Sequence, residues 1–576
     1  MKRILIIFNK EFSNINQAAF LLGLFALLAQ ILGLFRDRLL SYFVGVGSSL
    51  DIYYASFRVP DFIFVSVASL FAVVALLPFL TEKIGKNENG GLNHTSLKAQ
   101  IFFSQVFTIF MILMVLVSIL FFLLMPILVS LVFPGFEGET LAKTIGLSRI
   151  MLLSPILLGL SNLVGSVTQL FRKFFVFALS PVFYNLGIII GVIFFYPIWG
   201  LPGLIWGVVL GGFMHFAIQL PVIIKHGFIP KLIFKINWHD IKKLFIVSLP
   251  RTAGLALYNI TILVLVSLTS LINEGSISIF NLSLNMYAVP ISIIGVSYSV
   301  AVFPTLSRFF SSNDTKQFID HLISAMRQVI FWSLPILFLF IVLRAQIVRV
   351  ILGSGKFSWD DTRLVAAMLA VFSLSILAQS LNTIIVRAFY AMSRTWRPFL
   401  MNLISSVLII SLAKLFLYLF NVYLPFKYFV QSTLRVENLA GTSILMIGLA
   451  FSIGLIVNFF LLWFYFRKDF GVDVPRQSIS PTFFQSLTAA FFVGLVAYVF
   501  LGIFDKLFDI NTFFGILMQG FLSGIAGIIS GVIVLKLLKN QEIKELENVL
   551  KTKFWKTKAV GLEQGRRIIA PSQEDL

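Results

Sequence analysis

Residues 101–133 read IFFSQVFTIFMILMVLVSILFFLLMPILVSLVF, a stretch that contains no Asp, Glu, Lys or Arg. A helix of about 20 apolar residues is long enough to cross the hydrocarbon of a bilayer. The whole chain of 576 residues is also apolar. Hydrophobic residues make up 58% of it, against roughly 45–50% in soluble domains, and charged residues make up 12%, against about 25%. With a mean hydropathy of +0.96, the sequence excludes a water-soluble globule and predicts an integral membrane protein.

Further apolar runs lie on both sides of this stretch, and we predict an all-α polytopic membrane protein with about 14 transmembrane helices. Residues 1–224 and 244–466 each hold six runs and form two lobes joined by a polar cytoplasmic connection, 225–243. Two more runs lie in 482–538, before a polar cytoplasmic tail, 539–576. The runs are near 17–35, 52–80, 101–133, 144–171, 174–197, 198–224, 244–272, 277–303, 329–352, 364–392, 398–421, 439–466, 482–504 and 513–538.

The basic residues indicate the orientation in the membrane. Lys and Arg number 45 against 25 Asp and Glu, a net charge of +20, which in a soluble protein suggests a nucleic-acid partner. Here 31 basic residues lie in the terminal segments and alternate loops, and 13 lie in the other loops. Because cytoplasmic loops carry the excess of Lys and Arg, we predict that both termini are cytoplasmic and that no nucleic acid is bound.

The two sets of six runs share features in the same order. Gly47-Ser48 precedes Pro60 in the first set, and Gly275-Ser276 precedes Pro290 in the second. An even number of spans separates the corresponding features, so the two halves enter the membrane from the same side and form a parallel repeat. Such a pair typically encloses a cavity near the midplane and works by alternating access.

Features of an enzyme are scarce in this sequence. Gly353-Ser-Gly-Lys356 lacks the upstream Gly and the Ser/Thr of a phosphate loop, and there is no cysteine. No loop exceeds about 25 residues, which is too short to fold into the acceptor site of a membrane glycosyltransferase. The histidines lack metal-ligand spacing and are His94, His215, His226, His239 and His321. We therefore predict no enzymatic activity, no metal and no cofactor.

The polar tail contains apolar residues at helical spacing among Lys and Glu. They are Leu538, Ile543, Leu546, Leu550 and Phe554. This pattern predicts an amphipathic helix that lies on the cytoplasmic leaflet, with a disordered tail as the alternative.

Ionisable side chains at membrane depth are costly and are functional candidates by default. They concentrate around the end of the first run and the start of the second: Arg36, Asp37, Arg38, Asp51, Arg58 and Asp61. Arg149 and Arg251 lie elsewhere. For each of them the alternative is an interfacial anchor or a structural ion pair.

Several segments together resemble one known family. They are Leu32–Asp37 (LGLFRD), Asp51–Pro60 (DIYYASFRVP), Phe133–Phe136 (FPGF), Ser148–Met151 (SRIM), Gly355–Phe357 (GKF) and Arg387–Tyr390 (RAFY). They resemble the MurJ (MviN) lipid II flippases of the multidrug/oligosaccharidyl-lipid/polysaccharide exporter superfamily, over nearly the whole chain. The resemblance implies two six-helix lobes around a central cationic cavity, with a lipid-tail groove formed by the last two helices.

The resemblance also implies a substrate site. Arg36, Asp37 and Asp51 match family positions, and Arg58 matches a position that is basic in the family. We expect Arg36 to be the main contact to the substrate's diphosphate, because a guanidinium donates two parallel hydrogen bonds to phosphate oxygens. Asp37, Asp51 and Arg58 are expected to support it.

Four other positions depart from the family pattern. Gln30, Phe64, Ser69 and Asn285 stand where the family has charged residues, and we expect Gln30 and Asn285 to line the site as neutral groups. Arg251, about two turns into the seventh run, is expected to face the cavity and to replace the missing cation.

The resemblance implies a flippase that moves the undecaprenyl-diphosphate-linked peptidoglycan precursor from the cytoplasmic to the outer leaflet of the bacterial cytoplasmic (inner) membrane by alternating access. The precursor and membrane lipids are the expected partners. The neutral positions leave two alternatives open. One is a flippase for another polyprenyl-linked glycan or a small-molecule antiporter of the same superfamily, and the other is a membrane scaffold with a degenerate cavity.

The orientation is testable by cysteine labelling, because the chain has no cysteine of its own. We expect a membrane-impermeant maleimide applied from outside to label Glu274→Cys and to leave Asn237→Cys unlabelled until the membrane is permeabilised. Labelling of Asn237→Cys from outside in intact cells would show that the predicted orientation is inverted.

Overall fold

The computed structural model describes residues 15–71, 73–84, 97–470 and 476–548, and in this part of the chain all regular structure is helical. Fourteen helices or helix pairs occupy the predicted positions. They are α1 (Ile15–Phe43), α2 (Ser48–Ser66, Ala68–Phe71 and Val73–Ile84), α3 (Leu97–Val132), α4 (Gly138–Leu170), α5 (Phe174–Trp199), α6 (Leu201–Lys225), α7 (Trp238–Thr269), α8 (Ser276–Ser311), α9 (Thr315–Val342), α10 (Trp359–Ser373 and Ile376–Ala391), α11 (Trp396–Val422), α12 (Ile444–Phe470), α13 (Arg476–Phe504) and α14 (Phe513–Leu537).

Thirteen of these, with α2 and α10 each counted as one bent span, are long and apolar enough to cross a membrane. The remaining one, α1, is a helix of 29 residues at the first predicted run. The prediction of an all-α polytopic protein with about 14 spans is confirmed. Short helices, Arg344–Leu352 and Leu424–Leu434, lie in the connections α9–α10 and α11–α12.

Neighbouring helices pack on one another within each of the two predicted lobes. In the first lobe α1 packs on α5, α5 on α6, and α4 on both α2 and α6. In the second lobe α10 packs on α8, α9 and α12, and α12 packs on α11. Helix α7 contacts α2 of the first lobe and α11 of the second, so it bridges the two. Helix α13 packs on α9 and α14.

Two helices of the second lobe are irregular near their own midpoints. Pro290 of α8 is followed by a π-helical turn, Ile291–Val296, and α10 bends by 46° between its two segments. Proline supplies no N–H to the helical ladder, so the turn around it loosens and the helix deviates from a straight course. This irregular turn divides α8 into two halves with different neighbours.

In the described part of the tail, residues 541–548 form a helix, and protein side chains cover one face of it. Ile543 is 5% exposed and packs with Phe331 of α9 and Leu535 of α14. Glu542 accepts a hydrogen bond from Arg327 at 2.7 Å. The expected helix is present, and its buried residue Ile543 packs on the transmembrane helices. Leu550 and Phe554 lie outside the described residues.

Glycine brings α5 and α6 into direct backbone contact. A Cβ atom added at Gly187 would lie 2.3 Å from the Cα of Gly211, and one added at Gly207 would lie 2.5 Å from the Cα of Gly191. Small residues four apart allow this close approach of membrane helices, where packing replaces the hydrophobic effect as the driving force.

Gly207→Ala is therefore expected to destabilise the first lobe. The added methyl group meets backbone, which cannot move aside, and such overpacking costs roughly 1–3 kcal/mol. Thermal unfolding in detergent should show a lower midpoint for this variant. Gly146→Ala is the matched control, because a Cβ there meets nothing within 4 Å. Equal midpoints for the two variants would contradict the proposed contact.

Candidate functional site

Arg36 and Asp37, near the end of α1, form an ion pair. The Nε and Nη2 atoms of Arg36 donate to Oδ1 of Asp37 at 3.0 and 2.8 Å. Nη1 of Arg36 donates to Oδ1 of Asn185 on α5 at 3.3 Å. The side chain of Arg36 is 20% exposed and that of Asp37 is 3% exposed, so the guanidinium is the accessible partner of a locally neutral pair.

The second oxygen of Asp37 reaches the other lobe. Asn285 of α8 donates its Nδ2 to Oδ2 of Asp37 at 2.8 Å. The buried carboxylate is thereby hydrogen-bonded on both oxygens, which a buried charge requires if it is to remain ionised. A neutral amide at position 285 suits a carboxylate that already has an arginine partner.

Asp51, in the first turn of α2, binds the beginning of α8. Its carboxylate accepts hydrogen bonds from the backbone N–H of Gly275 and Ser278, both at 2.7 Å, and from Oγ of Ser278 at 2.6 Å. The first amides of a helix lack partners within the helix and attract negative charge. Asp51 is 3% exposed, so a carboxylate of one lobe caps a helix of the other.

Arg58, two turns further along α2, makes the third contact to α8. Its Nη2 donates to Oδ1 of Asn281, and its Nε is buried without a hydrogen-bond partner in the described structure. The α8 residues in these contacts are spaced three and four apart and therefore share one face of the helix. We call this set of contacts the α8 seam, and its members are Asp37, Asp51, Arg58, Ser278, Asn281 and Asn285.

Loops cover the end of the molecule at which the α8 seam begins, which we call the closed end. The backbone of Gly135 lies so close to Ser270 that an added Cβ would be 1.9 Å from its carbonyl oxygen. The N–H of Lys356 donates to the carbonyl of Tyr42 at 3.2 Å. A polar cavity of about 430 Å³ lies beneath these loops, lined by residues of both lobes that include Ser48, Asp51 and Glu274.

Towards the opposite end, α8 packs within its own lobe. Its second half, Ser297–Ser311, packs on α9 and α10, and only Ser299 and Leu306 of this half are buried. The first half of α1 likewise exposes large apolar side chains, Leu24, Leu27 and Ile31 among them. At this opposite end, helix α7 connects the two lobes, and its Asp240 pairs with Lys83 of α2 at 2.6 Å. The direct polar contacts between α8 and the first lobe thus lie in its closed-end half.

Comparison with known proteins accounts for this arrangement. The family model described as "Lipid II flippase MurJ" matches residues 40–519. The chain belongs to the MurJ lipid II flippase family. Similar relatives include the probable lipid II flippase MurJ of Rickettsia prowazekii (strain Madrid E), 28% identical, with 68% of this chain and 76% of the relative covered. Another is that of Treponema pallidum (strain Nichols), 25% identical, with 81% and 84% covered.

Solved structures of similar fold include a lipid II flippase and a multidrug resistance transporter. One is titled "Lipid II flippase MurJ, inward closed conformation", with a TM-score of 0.69, 24% identity, and 90% of this chain and 100% of that chain covered. An inward-facing multidrug resistance MATE family transporter has a TM-score of 0.62 at 14% identity, with 77% and 94% covered. The resemblance of the sequence to the MurJ family is confirmed.

The structure distributes the predicted site residues over several places. Arg36 and Asp37 lie together with Asn285, whereas Asp51 and Arg58 contact other levels of α8. The expected shell of Asp51 and Arg58 around Arg36 is therefore a row along α8. Among the described residues, no three His, Asp or Glu side chains are arranged to hold a metal.

The positions that depart from the MurJ pattern have mixed surroundings. Gln30 and Phe64 are half-buried on α1 and α2. Ser69 donates to the carbonyl of Val65 and lies 3.3 Å from Oγ1 of Thr252 on α7. The side chain of Arg251 lies outside the described residues, so its expected place in the cavity stays a prediction.

Three partner residues were not selected from the sequence: Asn185, Ser278 and Asn281. Each is a polar residue within a transmembrane helix, and a polar side chain at membrane depth usually has a specific partner. Asn185 in the run FVFALSPVFYNLGIII is a clear signal of that kind. Asp61, a candidate from the sequence that lies three residues after Arg58 on the same helix, is half-buried.

Asp51→Asn is expected to loosen the closed end, because an amide nitrogen cannot accept a hydrogen bond from the first amides of α8. A hydrogen bond to a charged group contributes roughly 1.5–3 kcal/mol, so closure should weaken about tenfold or more. Ser276, 1% exposed beside this contact, becomes the reporter as Ser276→Cys. Its rate of reaction with a water-soluble maleimide should rise.

Glu139→Gln is the control for this experiment, since Glu139 pairs only within its own helix with Lys143 among the described residues. A labelling rate that is the same with Asp51→Asn as with Glu139→Gln would exclude a role of Asp51 in closure.

Proposed function

We propose that this chain moves lipid II across the bacterial cytoplasmic membrane, from the cytoplasmic to the outer leaflet, by alternating access between its two lobes. Membership of the MurJ family supports the substrate class. The α8 seam carries the mechanism, because it is a row of interlobe bonds at one end of the molecule whose rupture would open that end. The excess of basic residues in the terminal segments and alternate loops supports an outer location of the closed end.

The physical problem is the polar headgroup. A diphosphate sugar peptide cannot enter about 30 Å of hydrocarbon without losing its hydration. Its polyprenyl chain is apolar and is soluble in the hydrocarbon. A polar path between the lobes removes the barrier for the headgroup while the tail stays in lipid. In this state the path is closed at the outer end by the α8 seam and by the loops at Gly135 and Lys356.

Two arginines, Arg58 of the α8 seam and Arg36 beside its member Asp37, offer a link between substrate binding and opening. Arg58 has an unpaired buried Nε in the described structure, and Arg36 is partly exposed beside Asp37. A diphosphate that takes the guanidinium of Arg36 competes with Asp37, and one that takes Arg58 competes with Asn281. Both exchanges replace bonds between protein groups with bonds to the substrate. Of these two bonds, the one between Arg58 and Asn281 joins the lobes, so binding of the headgroup at Arg58 would weaken the closed end.

A second candidate is transport of a different polyprenyl-linked glycan. Asn285, Phe64 and Gln30 are neutral, and Arg36 is already balanced by Asp37. A cavity with few uncompensated cations suits an anion of lower charge than a diphosphate.

Two assays separate these functions. Expression of the chain in bacteria depleted of their own lipid II flippase should restore growth and normal shape. Purified protein should bind lipid II more tightly than other polyprenyl-linked glycans, both diphosphates and monophosphates. Failure of rescue by a well-inserted protein, together with preference for another glycan, would favour the second candidate.

Within this function, Arg36→Ala should weaken headgroup capture by about one to two orders of magnitude, since a hydrogen bond to a charged group contributes roughly 1.5–3 kcal/mol. Arg36→Lys should recover part of it, because an ammonium keeps the charge but not the paired donors. The measurement is binding of lipid II to purified variants.

Arg38→Ala is the matched control for Arg36→Ala. Arg38 donates to the carbonyl of Val350 and lies over the ring of Phe513, away from the α8 seam. Unchanged binding in a folded Arg36→Ala protein would exclude Arg36 as the principal phosphate contact.

A further inference from the structure

A deep apolar groove lies on the second lobe, between α9, α10, α12 and α13, and has a volume of about 800 Å³. Its lining is apolar except for Arg467 and Ser480. Both stand at the same end of the groove, since Arg467 is in the last turn of α12 and Ser480 is near the start of α13. The groove therefore has an apolar body and one polar end.

The length of the groove matches one leaflet. On α12 the lining residues run from Ile456 to Arg467, and on α9 from Met326 to Leu337. Each interval is eleven residues, about 16 Å at 1.5 Å per residue. This is about half of the 30 Å hydrocarbon core. An acyl chain of a single leaflet would fill the groove, with its headgroup at the level of Arg467.

Basic residues outnumber acidic ones among the described residues at the polar end. Among the described residues there, Arg394 and Arg397 share the carboxylate of Asp469, at 3.1 and 3.4 Å, and Arg467 and Lys468 follow one another on α12. Four basic residues thus accompany one carboxylate, which favours an anionic headgroup over a zwitterionic one.

The side of the groove is open to lipid. Phe460 of α12 is 61% exposed and Phe484 of α13 is 62% exposed, and both line the groove. These aromatic rings form a mouth through which a chain can enter sideways from the bilayer. Helix α8, with its seam, contacts α9 and α10 but contributes no residue to this groove.

We propose that this groove binds an anionic glycerophospholipid of one leaflet, with an acyl chain along α12 and the phosphate at Arg467. Such a site is separate from the path of the transported headgroup and does not depend on the proposed function. A bound lipid would hold α13, and through it α14 and the tail helix, against the second lobe.

Trp463 lines the groove and provides the measurement. The protein is reconstituted in phosphatidylcholine with a small fraction of brominated phosphatidylglycerol or brominated phosphatidylcholine, and tryptophan quenching is recorded. Subtraction of the signal of Trp463→Phe isolates Trp463. One basic side chain near the surface favours an anionic lipid about fivefold. Brominated phosphatidylglycerol should therefore quench Trp463 at about fivefold lower mole fraction than brominated phosphatidylcholine.

The variants test the headgroup contact. Arg467→Gln should abolish the preference, and Lys427→Gln, in the short helix Leu424–Leu434 at the other end of α12 from the groove's polar end, should retain it. Equal quenching by both lipids in the unmodified chain, or equal loss of preference in both variants, would overturn the proposal. Displacement of brominated phosphatidylglycerol by undecaprenyl phosphate, but not by plain phosphatidylglycerol, would also overturn it and would identify a polyprenyl site. Retention of phosphatidylglycerol over phosphatidylcholine in native mass spectrometry is expected as an independent result.

Discussion

The contact of Asp51 with the first amides of α8 is the constraint on which this state of the molecule depends. A carboxylate away from water is stable only if hydrogen bonds replace its hydration, and here all three donors belong to the other lobe. The lobes cannot separate at this end without water or another donor reaching Asp51. The remaining members of the α8 seam follow from the same register, because once Ser278 is held by Asp51, Asn281 and Asn285 face Arg58 and Asp37.

The α8 seam also shows how the two lobes are held together with few charged groups. Asp37 binds both Arg36 and Asn285, and Arg58 binds an amide oxygen. Neutral amides can exchange partners without leaving an uncompensated charge in a medium of low dielectric constant. Bonds of this kind hold the lobes together and can still break when the lobes separate. An arginine at position 285 would compete with Arg36 for the carboxylate of Asp37. This competition is a structural reason for the neutral residue Asn285.

The spans were predictable because a bilayer requires each crossing segment to satisfy its own backbone, so that long apolar runs are helices. That Arg36, Asp37 and Asp51 have specific partners was also predictable, from charge at membrane depth. Their partners were not, because Ser278 and Asn281 are more than 220 residues away in sequence and only tertiary packing selects them. The docking of Ile543 on protein could not be distinguished from docking on lipid, since both bury the same apolar face.

The most direct test of this account joins the two lobes across the closed end. Ser48 of α2 and Glu274 before α8 line the same cavity, and cysteines at both positions, in a chain with none of its own, can be bridged by a short cleavable bifunctional thiol reagent. Flipping of lipid II in proteoliposomes should stop when the bridge forms and resume when it is cleaved, while either single cysteine treated in the same way stays active. Continued flipping with the bridge intact would contradict the claim that the closed end must open during transport.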